Sequence, residues 1–256
     1  MHKKIYIFGS AAFLIMSIIL FLLDPSIRAF HANDFSAPFW YYITVTGDPI
    51  PEFIIIIIMF GAVFLINRNS RRRFISSGLI VLIIAVSALA TAGISNFILK
   101  DLFHTSRPSH KVFLEDGFFP SGLDSFYLKN NVLRREYIKE HVDPKDAKLS
   151  GYYAPDVNVW IREVGESFPS AHALNSFLIG TIFCYLLLFY LKSRLQYLAF
   201  IPLLWAILVS LSRYIVGVHE KIDIYGGAAI GLGLAFIIIR LKIFERIDTK
   251  FQIKKA

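Results

Sequence analysis

The sequence predicts an all-α membrane protein, a six-transmembrane-helix bundle with a small extracytoplasmic loop subdomain. Composition is the first reason, because a chain that is 55% hydrophobic and 15% aromatic, with a mean hydropathy of +0.56, is too apolar for a soluble domain of 256 residues. The second is the presence of six apolar runs, each long enough to cross a bilayer as a helix. The third is the distribution of basic residues, which concentrate on one side of these runs.

The first apolar run covers residues 5–23 and follows Lys3 and Lys4. It is long for the apolar part of a signal peptide, and no clear small-residue cleavage site follows it, so we predict a retained transmembrane helix. The remaining runs cover residues 50–66, 74–99, 173–191, 195–211 and 224–239. An even number of crossings leaves both termini on the same side of the membrane.

The basic residues indicate which side that is. Lys and Arg greatly outnumber Asp and Glu in the terminal segments and in the connections at 67–73 and 192–194, whereas acidic residues are in excess elsewhere. By the positive-inside rule, both termini are cytoplasmic. The net charge of +8 therefore belongs to cytoplasmic segments, and we expect no nucleic-acid partner. The single cysteine, Cys184, lies inside an apolar run, which excludes an internal disulfide and a cysteine metal site.

Two segments are predicted to lie on the extracytoplasmic side. Residues 24–49 include the aromatic cluster FWYY at 39–42, which suits the membrane interface. Residues 109–168 form the only sizeable segment outside the membrane, and apolar spacing predicts one helix there, at about 128–142. We expect this segment to be too short for a core of its own and to act as a lid insert within a single membrane-embedded domain, residues 1–256.

Three polar clusters stand at helix ends on that same side. They are Lys100 with Arg107, Ser170 with His172, and Arg213 with His219 and Asp223. Ser170 is predicted to be a helix N-cap, and the free N–H groups at a helix start bind anions. Asp223 lies one helical turn from His219, so its carboxylate can hold the imidazole. Each cluster alone has an ordinary structural explanation, such as snorkelling of a long side chain or capping of a helix. Their position at the same end of the helix bundle, however, predicts a binding site for an anion.

These residues stand in three motifs. Lys100 is separated by six residues from Arg107-Pro108, residues 169–172 read PSAH, and residues 212–223 read SRYIVGVHEKID. In order and spacing they resemble the three signature motifs of the type 2 phosphatidic acid phosphatase superfamily. The stretch FYLKNNVLRREYIKEHV at 126–142 is similar to the corresponding segment of the bacterial phosphatidylglycerophosphate phosphatase branch of that family.

The resemblance implies a metal-independent lipid phosphatase that works through a phosphohistidine and needs no cofactor. The family residues that match His219, Asp223 and His172 are catalytic. By this resemblance His219 is expected to attack phosphorus, Asp223 to orient and activate His219, and His172 to protonate the leaving oxygen and then activate water. Ordinary chemistry agrees, because a neutral imidazole is a nucleophile once a carboxylate fixes its tautomer.

The resemblance also implies which residues hold the phosphoryl oxygens. They match Lys100, Arg107, Ser170 and Arg213, with the backbone N–H of Ala171 beside them. Three positive charges suit phosphoryl transfer, which depends chiefly on positioning and on cations aimed at the oxygens. Ala171 departs from the family, which usually has glycine at this position. We therefore expect a methyl group beside the phosphate and a conformational penalty if the backbone needs a positive φ.

A site at the membrane–water boundary implies a substrate whose phosphate reaches the site while its tail stays in the bilayer. We expect a lipid phosphate or diphosphate, with phosphatidylglycerophosphate, undecaprenyl diphosphate, phosphatidic acid and phosphorylated lipid A as candidates. The expected partners are this lipid and the bilayer, with no obligatory protein partner. The expected location is the cytoplasmic (inner) membrane, with the site facing the periplasm or exterior.

Three alternatives remain open. A phosphotransferase on the same scaffold would pass the phosphoryl group to another lipid, and a metal hydrolase would use His172, His219 and Asp223 as ligands. An anion transporter is disfavoured because we expect no ionisable side chain within the apolar runs, whereas transport pathways usually place such groups near the midplane. His104 and His110 flank Arg107, and we expect both to be exposed loop residues.

Overall fold

The computed structural model describes residues 2–24, 33–66, 73–191 and 193–251, and within these ranges the regular elements are helices. In chain order they are α1 (His2–Leu22), α2 (Ala37–Val45), α3 (Pro49–Ile66), α4 (Arg73–Ile94), α5 (Lys100–Phe103), α6 (Pro108–Glu115), α7 (Gly122–Tyr127), α8 (Asn131–His141), α9 (Ala154–Arg162), α10 (Ala171–Tyr190), α11 (Ile201–Ile215), α12 (Lys221–Arg240) and α13 (Ile243–Phe251). A π-helical turn, Ser95–Leu99, joins α4 to α5, and 3₁₀ turns cover Ala147–Leu149 and Ser193–Phe200. The basic residues at 68, 71, 72, 192, 254 and 255, which contribute to the predicted orientation, lie outside the described residues.

Six helical segments of the described chain are long and apolar enough to cross a membrane, which confirms the predicted bundle. The last two of them differ from the predicted runs for local reasons. Pro202 lies in the first turn of α11, a position that suits proline, and the residues before it are 3₁₀-helical. α12 begins before its apolar run because Glu220 and Asp223 form a capping box at its start.

α10 is the central helix of the bundle, and it is buried along most of its length. α12 packs closely against it because Gly227 and Gly231 lie at the contact. A Cβ atom at Gly227 would overlap the carbonyl oxygen of Ser170, and one at Gly231 would overlap that of Leu174. The close approach brings the starts of the two helices together, where the Ser170 N–H donates to the Asp223 carbonyl oxygen at 3.0 Å.

The aromatic segment predicted for the membrane surface forms the short helix α2. Phe39 and Tyr42 are exposed, whereas Trp40 packs against the apolar core of the bundle. The helix lies against α11, and its Thr44 is buried. α2 is therefore both a surface element and a neighbour of the polar residues at the end of α11.

The segment at 109–168 is more structured than predicted. Together with Pro108 it carries four helices, α6 to α9, where the sequence predicted one. α8 is the predicted helix, and it begins at Asn131 because the Asn130 side chain accepts hydrogen bonds from the N–H groups of Val132 and Leu133, both at 3.0 Å.

The segment packs around a core that it shares with the bundle. Its buried side chains form a cluster, here called the aromatic core, that includes Phe113, Phe118, Phe119, Phe126 and Trp160 together with Val216 and Val218 from the connection between α11 and α12. Large rings bury much apolar area per residue, and the two valines of the bundle complete the cluster. The Trp160 Nε1–H donates to the Val216 carbonyl oxygen at 2.7 Å, which ties the segment to the bundle.

Candidate active site

A cavity of about 550 Å³ brings the three motifs together. Its lining includes Lys100, Arg107, Ala171, His172 and His219. The other predicted site residues, Ser170, Arg213 and Asp223, are buried directly behind this lining. Ser170 precedes Ala171 in the chain, the Arg213 carbonyl oxygen accepts from the His219 N–H at 3.2 Å, and the Asp223 carboxylate faces the His219 ring. All the residues that the sequence predicts for the site therefore lie in one place.

His219 lies between a carboxylate and a guanidinium. Its Nδ1 is 3.5 Å from Asp223 Oδ2, and its Nε2 is 3.3 Å from Arg107 Nη1. Because arginine can only donate, Nε2 is the acceptor and the ring proton is on Nδ1, toward the carboxylate. Burial lowers the pKa of His219 to about 3 despite the opposing effect of Asp223, so the ring is neutral at neutral pH. A neutral imidazole with an unprotonated Nε2 is the form that can attack phosphorus.

Ser167 is a member of this group that the sequence did not predict. Its Oγ is 3.2 Å from His219 Nδ1 and donates to Asp223 Oδ2. The N–H of Glu220 donates to the same carboxylate oxygen at 2.7 Å. These contacts fix the Asp223 carboxylate beside the imidazole. The one signal in the sequence is the position of Ser167 just ahead of the PSAH motif.

Glu163 bridges the two arginines of the site. Arg107 Nη2 lies 2.9 Å from Glu163 Oε2, and Arg213 Nη2 forms an ion pair with Glu163 Oε1. Arg107 also donates to two backbone carbonyl oxygens, at 2.8 and 3.1 Å, and Arg213 donates to Thr44 Oγ1 at 2.9 Å. These contacts hold the two guanidinium groups in place. Their remaining N–H groups can bind an anion, and in this structure they bind the Glu163 carboxylate.

The charges in this cluster shift the pKa values of its members. Burial alone would raise the pKa of Glu163, but Arg107 and Arg213 outweigh it and hold that pKa well below its usual range. Burial, with a further contribution from Arg107, lowers the pKa of Lys100 to about 8. Sequence reasoning missed Glu163 because an acidic residue is the opposite of what a phosphate site suggests.

His172, in the first turn of α10, faces Asp48, which directly precedes α3. His172 Nε2 is 3.1 Å from Asp48 Oδ1. Burial would raise the pKa of Asp48, but the hydrogen bond and charge of His172, together with the charges of Arg213 and Arg162, lower it. Asp48 is therefore a carboxylate and can stabilise a protonated His172. In the sequence it is an isolated acidic residue outside every motif, and nothing marks it.

The PSAH motif forms the start of α10, as predicted. Ser170 is the N-cap, with its Oγ 3.5 Å from the N atom of Ala173. Ala171 is the first residue of the helix and lines the cavity. Among the described residues, positive φ values outside glycine occur at His104 and Lys242 and not at Ala171. The backbone at Ala171 does not require glycine, so the expected conformational penalty does not arise.

The two histidines that flank Arg107 differ from each other. His104 is exposed, as expected. His110 is fully buried, so the expectation that it is an exposed residue is wrong. It packs edge-on against Phe126, with 5.0 Å between ring centroids, and its Nδ1 is 2.6 Å from the Tyr127 hydroxyl. That hydroxyl accepts from the backbone N–H of Arg107 at 2.9 Å, so Tyr127 connects His110 to the site.

The far wall of the cavity is apolar and lies between α3 and α4. It consists of Ile50, Phe53, Ile56, Ala85, Ala88, Leu89 and Ala92. Ile50, Phe53 and Leu89 are also largely exposed on the outside of the bundle. The cavity therefore joins a charged end to an apolar surface that faces the bilayer, which is the arrangement that an amphiphile requires.

A polar pair interrupts this wall. Glu52 lies in α3 and Asn175 in α10, and both are buried residues that line the cavity. The expectation that the apolar runs contain no ionisable side chain is therefore wrong. Mean hydropathy conceals this carboxylate because five consecutive isoleucines, residues 54–58, dominate the run.

Comparison with known proteins gives matches in sequence and in structure. The family model described as PAP2 superfamily matches residues 81–246, which contain all three motifs. Phosphatidylglycerophosphatase B of Bacillus subtilis (strain 168) is 33% identical over 87 residues, which make up 33% of this chain and 43% of that protein. The chain thus aligns with less than half the length of this relative. The crystal structure of the first transmembrane PAP2 type phosphatidylglycerolphosphate phosphatase from Bacillus subtilis matches over 99% of this chain and 96% of that chain, with 19% sequence identity and a TM-score of 0.49.

Proposed function

The chain belongs to the PAP2 superfamily, and on this basis we propose that it is an integral membrane lipid phosphatase that hydrolyses a lipid phosphate or diphosphate through a phosphohistidine at His219. One observation carries the proposal. The neutral Nε2 of His219 lies beside Arg107, and Arg107 and Arg213 together already hold a carboxylate. A nucleophile next to a preformed anion site is what phosphoryl transfer to the protein needs.

In this proposal the phosphoryl oxygens take the place of the Glu163 carboxylate on Arg107 and Arg213. Lys100, in the same cavity, supplies a third positive charge. A phosphate dianion gains more from these cations than a single carboxylate does. The Ser170 N-cap and the N–H groups of the first turn of α10 add fixed dipoles at the same end of the cavity.

The chemistry proceeds in two displacements. First, the Nε2 lone pair of His219 forms a bond to phosphorus while the bond from phosphorus to the lipid oxygen breaks, and that oxygen takes a proton from His172. Asp223 stabilises the positive charge on the phosphorylated ring. Water then attacks phosphorus and gives a proton to His172, the phosphorus–nitrogen bond breaks, and inorganic phosphate leaves. Asp48 holds His172 in position for both proton transfers.

The apolar wall between α3 and α4 supports a lipid as the substrate, because it provides a surface for an aliphatic tail that starts within the charged cavity. We also propose that both termini are cytoplasmic and that the site faces the periplasm or exterior. Among the described residues, Lys3, Lys4, Arg240 and Lys242 support this orientation through the positive-inside rule. The corresponding location is the cytoplasmic membrane.

The test is phosphate release by the detergent-purified protein in excess EDTA, with wild type beside His219→Ala. The panel contains phosphatidylglycerophosphate, undecaprenyl diphosphate, phosphatidic acid and phosphorylated lipid A. We expect release by wild type and a loss of at least about 10³-fold in the variant, because the nucleophile is absent. Thermal unfolding of both proteins checks that the variant is folded. Equal rates would remove His219 as the nucleophile.

The remaining alternatives give different results in the same assay. A phosphotransferase would transfer the phosphoryl group to a second lipid without stoichiometric release of inorganic phosphate. A metal hydrolase built on His172, His219 and Asp223 would be inactive in EDTA and would recover when metal is added. A phosphohistidine enzyme is active in EDTA, and acid-labile radioactive phosphate bound to the wild-type protein and absent from His219→Ala would identify the intermediate.

A further inference from the structure

Glu52 is an acidic side chain inside a membrane-spanning helix, in the first turn of α3. Carboxylates in such helices are costly and usually have a function. Among the described residues, its hydrogen bonds come from the Asn175 amide, whose Nδ2 is 3.2 Å from Oε1 and 3.4 Å from Oε2. A carboxylate can accept about four hydrogen bonds, so Glu52 retains acceptor capacity within the cavity that it lines.

The Asn175 amide is oriented by a third helix. Thr91 of α4 is buried, and its Oγ1 lies 2.9 Å from Asn175 Oδ1. The carbonyl oxygens of Ser87 and Ala88 lie at the same distance from this hydroxyl. With the amide oxygen facing Thr91, the amide nitrogen faces Glu52. Glu52, Asn175 and Thr91, here called the Glu52 subsite, are therefore buried polar side chains from three helices, and the first two line the cavity.

Helix spacing gives the position of the Glu52 subsite relative to the reaction. Glu52 follows Asp48 by four residues, and Asn175 follows His172 by three, so each lies about one helical turn further into the bundle. The Asp48–His172 pair is where the proposed mechanism protonates the leaving oxygen. The Glu52 subsite is thus roughly one turn, ~5 Å, from that oxygen in the direction of the apolar wall. This is the region that the first atoms of the lipid beyond its phosphate would occupy.

We propose that the Glu52 subsite recognises a hydroxyl group on the carbon next to the phosphate-bearing carbon of the lipid, and thereby selects glycerol-type phosphate monoesters over diphosphates. The inference rests on the proposed function. A hydroxyl can donate a hydrogen bond to a Glu52 oxygen, whereas the second phosphate of a diphosphate places only acceptor oxygens there and leaves the Glu52 oxygen unpaired. An acyl ester in place of the hydroxyl offers no donor and leaves the carboxylate unpaired.

The experiment uses two lipids that differ by one hydroxyl, lysophosphatidic acid and its 2-deoxy analogue with the same acyl chain, together with undecaprenyl diphosphate. Values of kcat/KM are compared for wild type, Glu52→Gln and Glu136→Gln, which changes an exposed carboxylate of α8. Wild type should favour the hydroxylated lipid by about tenfold or more, since the hydrogen bond is to a charged group. In Glu52→Gln this preference should fall to about threefold or less, and the rate on the diphosphate should rise about tenfold relative to lysophosphatidic acid. Glu136→Gln should keep the wild-type ratios.

Unchanged ratios in Glu52→Gln would overturn the inference, and so would an equal loss on all three lipids, which is what a purely structural role produces. If wild type hydrolyses none of them, the proposed function fails, and ligand binding then decides the inference. In that case lysophosphatidic acid should still raise the Tm of wild type more than the deoxy analogue does, and the difference should shrink in Glu52→Gln. Equal Tm shifts from the two lipids would refute recognition of the hydroxyl.

Discussion

Substitution of Glu163 by glutamine should tighten the binding of phosphate analogues, although it removes two ion pairs from the site. In the ligand-free protein the Glu163 carboxylate contacts Arg107 at 2.9 Å and also pairs with Arg213. A phosphate that binds these arginines must first displace it. In the proposed mechanism the carboxylate is therefore an internal competitor, and it should reduce the apparent affinity for phosphate by the fraction of molecules in which it is bound.

The size of the effect follows from the contacts. A hydrogen bond to a charged group contributes about 1.5–3 kcal/mol, but the Glu163 side chain is 23% exposed, and solvent screening reduces the value. The neutral amide of glutamine keeps part of the contact. A net difference of about 1.4 kcal/mol corresponds to a tenfold lower Kd for the analogue. The same change leaves Arg107 and Arg213 without their counter-ion, so the ligand-free variant should unfold at a lower Tm than wild type.

Inhibition by orthovanadate and the Tm shift that it causes measure both effects. We expect Glu163→Gln to have an inhibition constant about tenfold lower and a larger Tm shift than wild type. Glu136→Gln, which removes an exposed carboxylate of α8, should match wild type in both. Vanadate inhibition that is no stronger in Glu163→Gln than in wild type would refute the reasoning, because the carboxylate would then help to hold the arginines for the ligand instead of competing with it.

Two further predictions concern proton positions. Lys100, with a pKa of about 8, loses its charge as the pH rises through that value, so kcat/KM should decline above about pH 8, and Lys100→Arg should move the decline to higher pH. This folded-state pKa is below the usual 10.5, so burial of the charged lysine destabilises the fold below about pH 8. The destabilisation should disappear between about pH 8 and 10.5, and the Tm of the ligand-free protein should rise over that range relative to a variant without this lysine. Asp48→Asn should lower kcat about tenfold on lipid phosphates, because protonated His172 loses its carboxylate, and much less on p-nitrophenyl phosphate, whose leaving group needs no proton. A similar loss on both substrates would argue against a role for Asp48 in proton transfer.

The sequence predicted the bundle well because long apolar runs permit few structures in a bilayer. It predicted the extramembrane segment poorly. Short helices such as α6 and α9 carry too few turns for a clear apolar period, and what stabilises them is the packing of rings such as Phe126 and Trp160 from distant parts of the segment. No local pattern records that packing.

The site also contains residues that the sequence could predict and residues that it could not. His219, Asp223 and the cations could be predicted because their spacing along the chain is characteristic. Asp48 and Glu163 could not, because each lies in a connection and acquires its partner only in the folded bundle, His172 for Asp48 and the arginines for Glu163. Residues whose role depends on a contact across the fold leave no periodic trace in the sequence.

The aromatic core helps to fix the position of His219. Val216 and Val218 belong to that core, and His219 is the next residue in the chain. The Val216 carbonyl oxygen is held by Trp160, and that of Val218 by Arg107. A compound that wedged apart Trp160 and Val216 would displace the histidine from its partners without competing with any lipid. For inhibitor discovery, the contact between Trp160 and Val216 is thus a second target, separate from the apolar cavity.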